Sequence, residues 1–205
     1  MLVTFDVMDI LFLTNNNLSI PLSDWLSERA DVMIWQEKLA LPDILEIDPD
    51  LIVSYSYRHI IKADVLAALP NKFINLHIAL LPYNRGADPN AWSYLEDTPK
   101  GVSIHLTDAG IDTGPILVQK QVDIDERRET LGSSYNILQE EIQGLFRKHW
   151  DGLRDESITP VTQVGQGTFH FARQFAEIRD ELMGKEGWNV PIPLFKERHR
   201  LLNTG

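Results

Sequence analysis

The stretch FINLHIALLPYNRGADPNAW, residues 73–92, sets two polar side chains in a run of apolar residues and then changes abruptly into a polar loop. Asn75 and His77 are two positions apart, and alternate residues of a β-strand project from the same face. The prolines and the glycine that follow Leu81 end regular structure. The stretch therefore predicts a buried strand that carries an amide and an imidazole on one face, next to a loop.

The residues before this strand predict an α/β sheet. Short apolar runs begin near Met8, Asp31 and Leu51, and segments with helical spacing separate them. Strands that alternate with short helices are typical of a parallel sheet covered by helices. Residues 1–7 lie before the first run, and we expect them to be dispensable.

The residues after the loop complete the predicted fold. Two β-rich runs, KGVSIHLTD and PILVQKQVDI, flank the turn AGIDTG, and residues 130–154 have the spacing of one long amphipathic helix. Regular spacing fades beyond about Ser157. We predict an α/β fold with a Rossmann-like, mostly parallel sheet flanked by helices, forming one domain over residues 1–156. A short irregular C-terminal tail, residues 157–205, is expected to pack on this domain or across a homodimer interface.

The composition excludes several classes of protein. The chain has no cysteine, which rules out thiolate metal sites and thiol nucleophiles, and we expect no metal. Its net charge of −11 disfavours a nucleic acid partner, because Lys and Arg supply that affinity. The sequence has no apolar run of the ~18 residues that a membrane span needs. We therefore expect a cytoplasmic protein that binds small molecules and neither nucleic acid nor membrane.

Two common kinds of site lack their motifs. The connection after the first strand, TNNNLSIPLSD, contains no glycine, whereas a dinucleotide site needs glycines there to let the backbone approach a pyrophosphate. A G-x-S-x-G nucleophile elbow is also missing. The α/β pattern therefore indicates neither an NAD site nor a serine hydrolase.

A carboxylate in a second motif completes a possible catalytic set. Asp112 lies between Gly110 and Gly114 in DAGIDTGPI, which by itself is an ordinary turn. An amide donor, an imidazole and a carboxylate together are able to stabilise an oxyanion and to move a proton. We take Asn75, His77 and Asp112 as the candidate catalytic residues.

These two motifs and their spacing resemble the signature of the formyltransferases that use 10-formyltetrahydrofolate. That family's pattern is Asn, any residue and His, then a Leu-Leu-Pro loop, and about 35 residues later an Asp flanked by glycines. The resemblance covers roughly residues 8–125, and Ile78 replaces the family's usual proline. It implies the formyltransferase fold, a folate formyl donor, and a tetrahedral intermediate stabilised by Asn75 and His77, with Asp112 assisting proton transfer.

The resemblance also implies where the folate binds. Family members hold the pterin between a segment upstream of the catalytic Asn and the loop before the catalytic Asp. In this chain the corresponding positions are Arg58, His59, Ile60, Ile61, Asp108 and Ile111. Ile60 and Ile61 are equally well explained as core residues. His105 is a further histidine, to which we assign a structural role on its strand.

The acceptor is the least determined part of the prediction. The loop LPYNRGADPNAW is most similar to members that act on nucleotide-linked amino deoxysugars, and its candidate acceptor-binding residues are Tyr83, Asn84, Arg85, Asn90 and Trp92. A loop that packs on itself explains these five residues equally well. Glycinamide ribonucleotide and hydroxyornithine remain alternative acceptors. Methionyl-tRNA is disfavoured, because the chain is acidic and only about 50 residues follow the long helix. Hydrolysis of formyltetrahydrofolate and a non-catalytic ligand-binding domain also remain open.

Overall fold

A computed structural model describes residues 7–204, and its core is a mixed sheet of six strands. The prediction of dispensable residues falls mostly on residues 1–6, which lie outside the described part. The strands are β1 Asp9–Leu13, β2 Asp31–Trp35, β3 Leu51–Tyr55, β4 Phe73–His77, β6 Gly101–Leu106 and β7 Ile116–Gln121, while β5 Arg85–Gly86 and β8 Phe169–His170 pair separately. The sheet order is β2-β1-β3-β4-β6-β7, and strands β2, β1, β3 and β4 are parallel. The predicted α/β class is confirmed.

Helices cover both faces of the sheet. The helices are α1 Ile20–Ser27, α2 Leu41–Ile47, α3 Ala63–Ala68, α4 Pro89–Leu95, α5 Leu131–Lys148, α6 Trp150–Arg154, α7 Ala172–Met183 and α8 Ile192–Leu202. One face packs with α1 and α5 around Phe12, Val53 and Phe146. The opposite face packs with α2 and α3 around Ile52, Val65 and Phe73. Asn75 and His77 share the face of Phe73, because strand residues two apart project to the same side.

The predicted long helix is two helices. Helix α5 begins at a capping box, in which the Ser133 backbone N–H donates to the Thr130 hydroxyl and the Thr130 N–H donates to the Ser133 hydroxyl. Its end and the start of α6 meet at His149, whose φ of −107° and ψ of 11° depart from helical values. The apolar spacing continues across this break, so the sequence pattern alone predicted one continuous helix.

The C-terminal segment is more regular than the sequence predicted. Helices α7 and α8 occupy much of residues 172–202 and enclose a cluster of buried side chains with α4. Phe175 and Phe195 contact each other in this cluster, and Trp92 of α4 packs edge-on against Phe175. The prolines and glycines of this region obscured the helical spacing. No helix within residues 7–204 is long and apolar enough to cross a membrane.

The packing of α7 on the domain predicts a large stability loss when Phe175 is truncated. Phe175 is 2% exposed, whereas Phe171 is 52% exposed and serves as the matched control. Phe175→Ala should lower the free energy of unfolding by ~3–5 kcal/mol, because it leaves a cavity between α4 and α7. Urea denaturation measures the change. Equal stability of the two variants would show that α7 does not pack in this way.

Candidate active site

A row of polar side chains crosses β4 and β6 on the face that carries α2 and α3. The two strands are antiparallel, with Asn75 opposite His105 and His77 opposite Ser103. Residues directly opposite in an antiparallel pair project to the same face. The strand register therefore gathers an amide and two imidazoles at one place on the sheet.

Asp112 lies over this row and contacts each member of the set. The Asn75 side-chain amide donates to Asp112 Oδ1 at 3.1 Å, and the backbone N–H of Gly86 donates to Oδ2 at 2.8 Å. His77 Nδ1 is 3.6 Å from Oδ2, and His105 Nε2 is 3.4 Å from Oδ1. The structure thus brings together the three candidate catalytic residues that are far apart in sequence.

These contacts keep Asp112 ionised. Burial alone would raise its pKa, but the imidazoles of His77 and His105 and the Gly86 N–H favour the carboxylate. The net effect lowers the pKa of Asp112 well below its usual range. The side chain is 12% exposed, so the site contains an almost buried negative charge that the surrounding donors stabilise.

A compact turn, residues 107–115, positions Asp112, and we call it the Asp112 turn. Asp112 has a φ of +53°, which side-chain-bearing residues seldom adopt. The Asp108 carboxylate accepts hydrogen bonds from the Gly110 N–H and the Thr113 hydroxyl and so closes the turn. A Cβ at Gly114 would lie 1.7 Å from the Leu106 carbonyl oxygen, so only glycine fits there. Asp108, which we predicted to bind folate, therefore stabilises the Asp112 turn in the structure.

His77 is fixed by the loop that follows β4. Its Nε2 donates to the backbone carbonyl of Asn84 at 2.9 Å, which leaves Nδ1 facing Asp112. Asn84 belongs to residues 81–88, which we call the Pro82 loop. The loop thereby supplies both the Asn84 carbonyl that orients His77 and the Gly86 N–H that binds Asp112.

The structure corrects the predicted role of Asn84. Its side chain is fully buried, its amide donates to Glu96 and Thr168, and its carbonyl oxygen accepts from the Thr98 hydroxyl. These bonds hold the Asn84 side chain in the protein interior. Asn84 is a positioning residue for His77 and does not face an acceptor.

The other four predicted acceptor residues form two pairs, one buried and one half-buried. Asn90 is buried and donates to the Leu131 carbonyl, and Trp92 is buried and stacks on His170 with ring centroids 3.7 Å apart. Both belong to the packing between α4 and its neighbours. Tyr83 and Arg85 are half-buried on the Pro82 loop. Of the five residues, Tyr83 and Arg85 are the two with partly exposed side chains.

The predicted folate residues lie on two loops with exposed apolar side chains. Ile60 is 71% exposed and Ile111 is 38% exposed, whereas Ile61 packs on the core cluster around Val65. The Arg58 guanidinium donates to His59, and the Arg58 backbone N–H donates to the Asn15 side chain. Ile61 is therefore largely explained by the core, and Ile60 and Ile111 are the apolar surfaces available to a ligand.

His105 belongs to the site, although sequence reasoning gave it only a structural role on its strand. Its Nδ1 is 2.8 Å from the Leu106 carbonyl oxygen, which only accepts, so Nδ1 carries a proton. Its Nε2 is 3.1 Å from the Asn75 side-chain nitrogen and also faces Asp112. The structural role that we predicted for His105 is thus incomplete, because the ring also orients both candidate catalytic side chains.

Asp88, the last residue of the Pro82 loop, is a carboxylate that the sequence did not single out. It precedes α4 with a φ of 53°, and its side chain makes no capping bond to the helix. Burial raises its pKa, and the positive charge of Arg179 opposes that rise. The pKa of Asp88 is thus displaced upward, whereas that of Asp112 is displaced downward.

One known protein family matches more than half of the chain. Residues 20–148, which include Asn75, His77 and Asp112, match the model of the family described as Formyl transferase. The chain belongs to the formyl transferase family. The resemblance seen in the two sequence motifs is thereby confirmed.

Individual members of the formyl transferase family are similar over most of this chain. Methionyl-tRNA formyltransferase of Clostridium botulinum is 34% identical over 196 residues, which are 86% of this chain and 63% of that protein. The chain thus spans less than two thirds of that relative. The dTDP-4-amino-4,6-dideoxyglucose formyltransferase of Mycobacterium tuberculosis is 28% identical over 185 residues, which are 84% of this chain and 78% of the relative.

A solved structure matches nearly end to end. The formyltransferase PseJ from Anoxybacillus kamchatkensis is 36% identical, with a TM-score of 0.84, over 93% of this chain and 99% of PseJ. That structure is a complex with UDP-4,6-dideoxy-4-formamido-L-AltNAc and tetrahydrofolate. The likeness supports the fold assignment for the C-terminal segment as well as for the matched family residues.

The revised role of Asn84 predicts a loss of stability on substitution. Asn84→Ala removes the acceptor of the Thr98 hydroxyl and one of the donors to the Glu96 carboxylate, and it should cost ~1–3 kcal/mol of unfolding free energy. Asn17→Ala, at an exposed asparagine, is the control. Urea denaturation measures both variants. Wild-type stability of the Asn84→Ala protein would contradict the structural role of its side chain.

Proposed function

We propose that the protein transfers a formyl group from 10-formyltetrahydrofolate to a primary amine. The observation that carries the proposal is the convergence of Asn75, His77 and Asp112 on one face of the sheet. These residues stand at the family's motif positions, and the chain belongs to that family. An amide, an imidazole and a carboxylate are able to stabilise the oxyanion and to move the proton in acyl transfer to an amine.

The amide and the imidazole suit the stabilisation of an oxyanion. The acceptor nitrogen attacks the formyl carbon, a C–N bond forms, and negative charge develops on the formyl oxygen. Preorganised donors at such an oxygen are commonly worth ~3–4 kcal/mol of barrier. We assign this role to the Asn75 amide and to protonated His77. Both His77 nitrogens face acceptors in the structure, the Asn84 carbonyl and the Asp112 carboxylate, so in the proposed reaction one of these contacts is exchanged for the oxyanion.

Asp112 then has two tasks in the proposed reaction. It holds the charge of His77, and it receives the proton that the attacking nitrogen must lose. Because its pKa is lowered, Asp112 is a weak base for a free ammonium. It is suited to the more acidic nitrogen of the tetrahedral intermediate, directly or through water. Cleavage of the bond between the formyl carbon and folate N10 completes the transfer. The proton lost by the acceptor nitrogen passes to N10, which leaves as a neutral secondary amine.

The proposed donor site uses the loops that carry Ile60 and Ile111. Both side chains are exposed, and they are suited to cover the faces of a flat aromatic ring. Polar groups of Arg58, His59 and Asp108 lie on the same two loops. The tetrahydrofolate in the PseJ complex supports a folate donor for this chain. We therefore propose 10-formyltetrahydrofolate as the formyl donor.

A nucleotide-linked amino deoxysugar is the proposed acceptor. PseJ, with its bound UDP-linked formamido sugar, shares 36% identity, and the M. tuberculosis relative is described as acting on a dTDP-linked amino sugar. Arg85 offers an anion site, because its guanidinium bonds to the neutral side chain of Gln163. The net charge of −11 disfavours methionyl-tRNA, although a methionyl-tRNA formyltransferase is among the similar proteins.

The release of tetrahydrofolate from 10-formyltetrahydrofolate tests the proposed reaction. We expect release only when an amine is present, and fastest with UDP- or dTDP-linked 4-amino deoxysugars. Glycinamide ribonucleotide and hydroxyornithine complete the panel. Asn75→Ala, His77→Ala and Asp112→Ala should each lower kcat by roughly 10²- to 10³-fold while the fold is retained, because each removes a separate contribution to the transition state.

Other outcomes of this assay have definite meanings. Release without an amine would make the protein a hydrolase, and no release with any amine would favour a ligand-binding domain. A wild-type rate in any of the three variants would contradict its assigned role. The control Asn17→Ala lies on the surface and should keep the full rate. The homodimer and the cytoplasmic location expected from the sequence stay predictions.

A further inference from the structure

Residues 161–170 cross the active site as an extended segment, which we call the C-terminal strap. At one end, Val161 pairs with Ile116 through two backbone hydrogen bonds of 2.8 Å. At the other end, the strap forms β8 beside β5 of the Pro82 loop. The strap thus connects the edge of the main sheet with the loop that orients His77 and Asp112.

Gln163 of the strap bonds to both sides of the site. Its Nε2 donates to the carbonyl oxygens of Asp112 and Gly114, each at 2.8 Å. Its Oε1 accepts from Arg85 Nε at 3.1 Å and from Arg85 Nη2 at 2.6 Å. A single planar amide therefore joins the Asp112 turn to the proposed anion-binding arginine. This combination needs both an acceptor and two N–H donors, which among side chains of this length only glutamine provides.

The rest of the strap fixes the Pro82 loop. The Thr168 hydroxyl accepts from the Asn84 backbone N–H at 2.8 Å, and the Thr168 carbonyl accepts from the Arg85 N–H at 3.0 Å. His170 Nε2 donates to Glu96 at 2.7 Å, while its ring stacks on Trp92. A Cβ at Gly86 would lie 2.2 Å from the His170 carbonyl oxygen. Glycine at position 86 therefore allows the strap to lie against the loop.

The strap lies outside the residues that the family model matches, which end at residue 148. We propose that this segment is nevertheless a required part of the active site, in which Gln163 positions both Asp112 and Arg85. The predicted effect of Gln163 on the reaction rate rests on the proposed formyl transfer. The predicted effect on the structure does not: Gln163 keeps the Asp112 carboxylate within reach of the Gly86 N–H. Gln163 touches no reacting atom, so its effect on the rate passes through Asp112.

Two substitutions at Gln163 share the loss of the Asp112-turn contact and differ in their effect on Arg85. Gln163→Ala removes both contacts, and it should lower kcat by ~10²-fold, the effect that misplacing a catalytic group by about 1 Å can have, and raise the acceptor KM. Gln163→Glu has no N–H for the Asp112 turn, and its negative charge neutralises the Arg85 guanidinium. It should lower kcat to a similar extent and raise the KM of the anionic acceptor more than Gln163→Ala does. A role confined to overall stability would not order the KM values in this way.

Amide hydrogen exchange at Gly86 tests the geometry without any assay of activity. When Gln163 is replaced by alanine, exchange of the Gly86 N–H should become roughly tenfold faster, because its acceptor Asp112 is no longer held. Val164→Ala is the control, since Val164 belongs to the strap but is 82% exposed. It should leave exchange, kcat and KM unchanged. Urea denaturation measures the loss of global stability in Gln163→Ala, and the faster exchange at Gly86 should exceed what that loss alone would cause.

The outcomes distinguish this inference from the proposed function. If the wild-type protein transfers no formyl group to any amine, the proposed function fails, and exchange at Gly86 still decides whether Gln163 positions Asp112. Unchanged exchange in Gln163→Ala overturns the inference. If the wild-type protein is active and Gln163→Ala keeps its kcat, the inference is overturned while the proposed function stands.

Discussion

The site depends on one ionised carboxylate, that of Asp112, held almost buried among donors from three parts of the chain. Removing a carboxylate from water costs several kcal/mol unless hydrogen bonds and opposite charges replace the water. Strand β4 supplies Asn75 and His77, strand β6 supplies His105, and the Pro82 loop supplies the Gly86 N–H. The positions of these elements are therefore coupled, because each stabilises the same charge.

The sheet topology explains why this arrangement is possible. The sheet changes from parallel to antiparallel at the β4–β6 pair, so Asn75 and His105 lie directly opposite each other. Helices α2 and α3 cover the neighbouring strands on that face, whereas loops cover β4 and β6. Loops offer free backbone donors and acceptors, and here they provide the Gly86 N–H and the Asn84 carbonyl. Strands fix the candidate catalytic side chains, and loops complete their hydrogen bonds.

Part of this arrangement was predictable from the sequence, and the rest depends on contacts that are distant along the chain. The two-residue period of a strand places Asn75 and His77 on one face, and the paired motifs indicate Asp112. The role of His105 follows from the antiparallel register, which no local pattern reveals. Asn84 was assigned to an acceptor because its loop resembles that of family members that act on amino sugars, but its partner Thr168 is 84 residues away. The strap has no periodicity at all, so its contacts with the site had no sequence signal.

The charge state of Asp112 is the most direct test of this account. Because the folded-state pKa is lowered, the stability that this carboxylate contributes is present above its unfolded pKa of about 3.9 and is lost as the pH falls through the folded value. We would follow the ¹³C resonance of its carboxyl carbon by NMR, assigned with an Asp112→Asn variant, while lowering the pH from 7. The account predicts that this resonance stays at its ionised position through pH 4. A titration midpoint at or above about 4 would contradict it, because the surrounding imidazoles and N–H groups would then not be stabilising the charge.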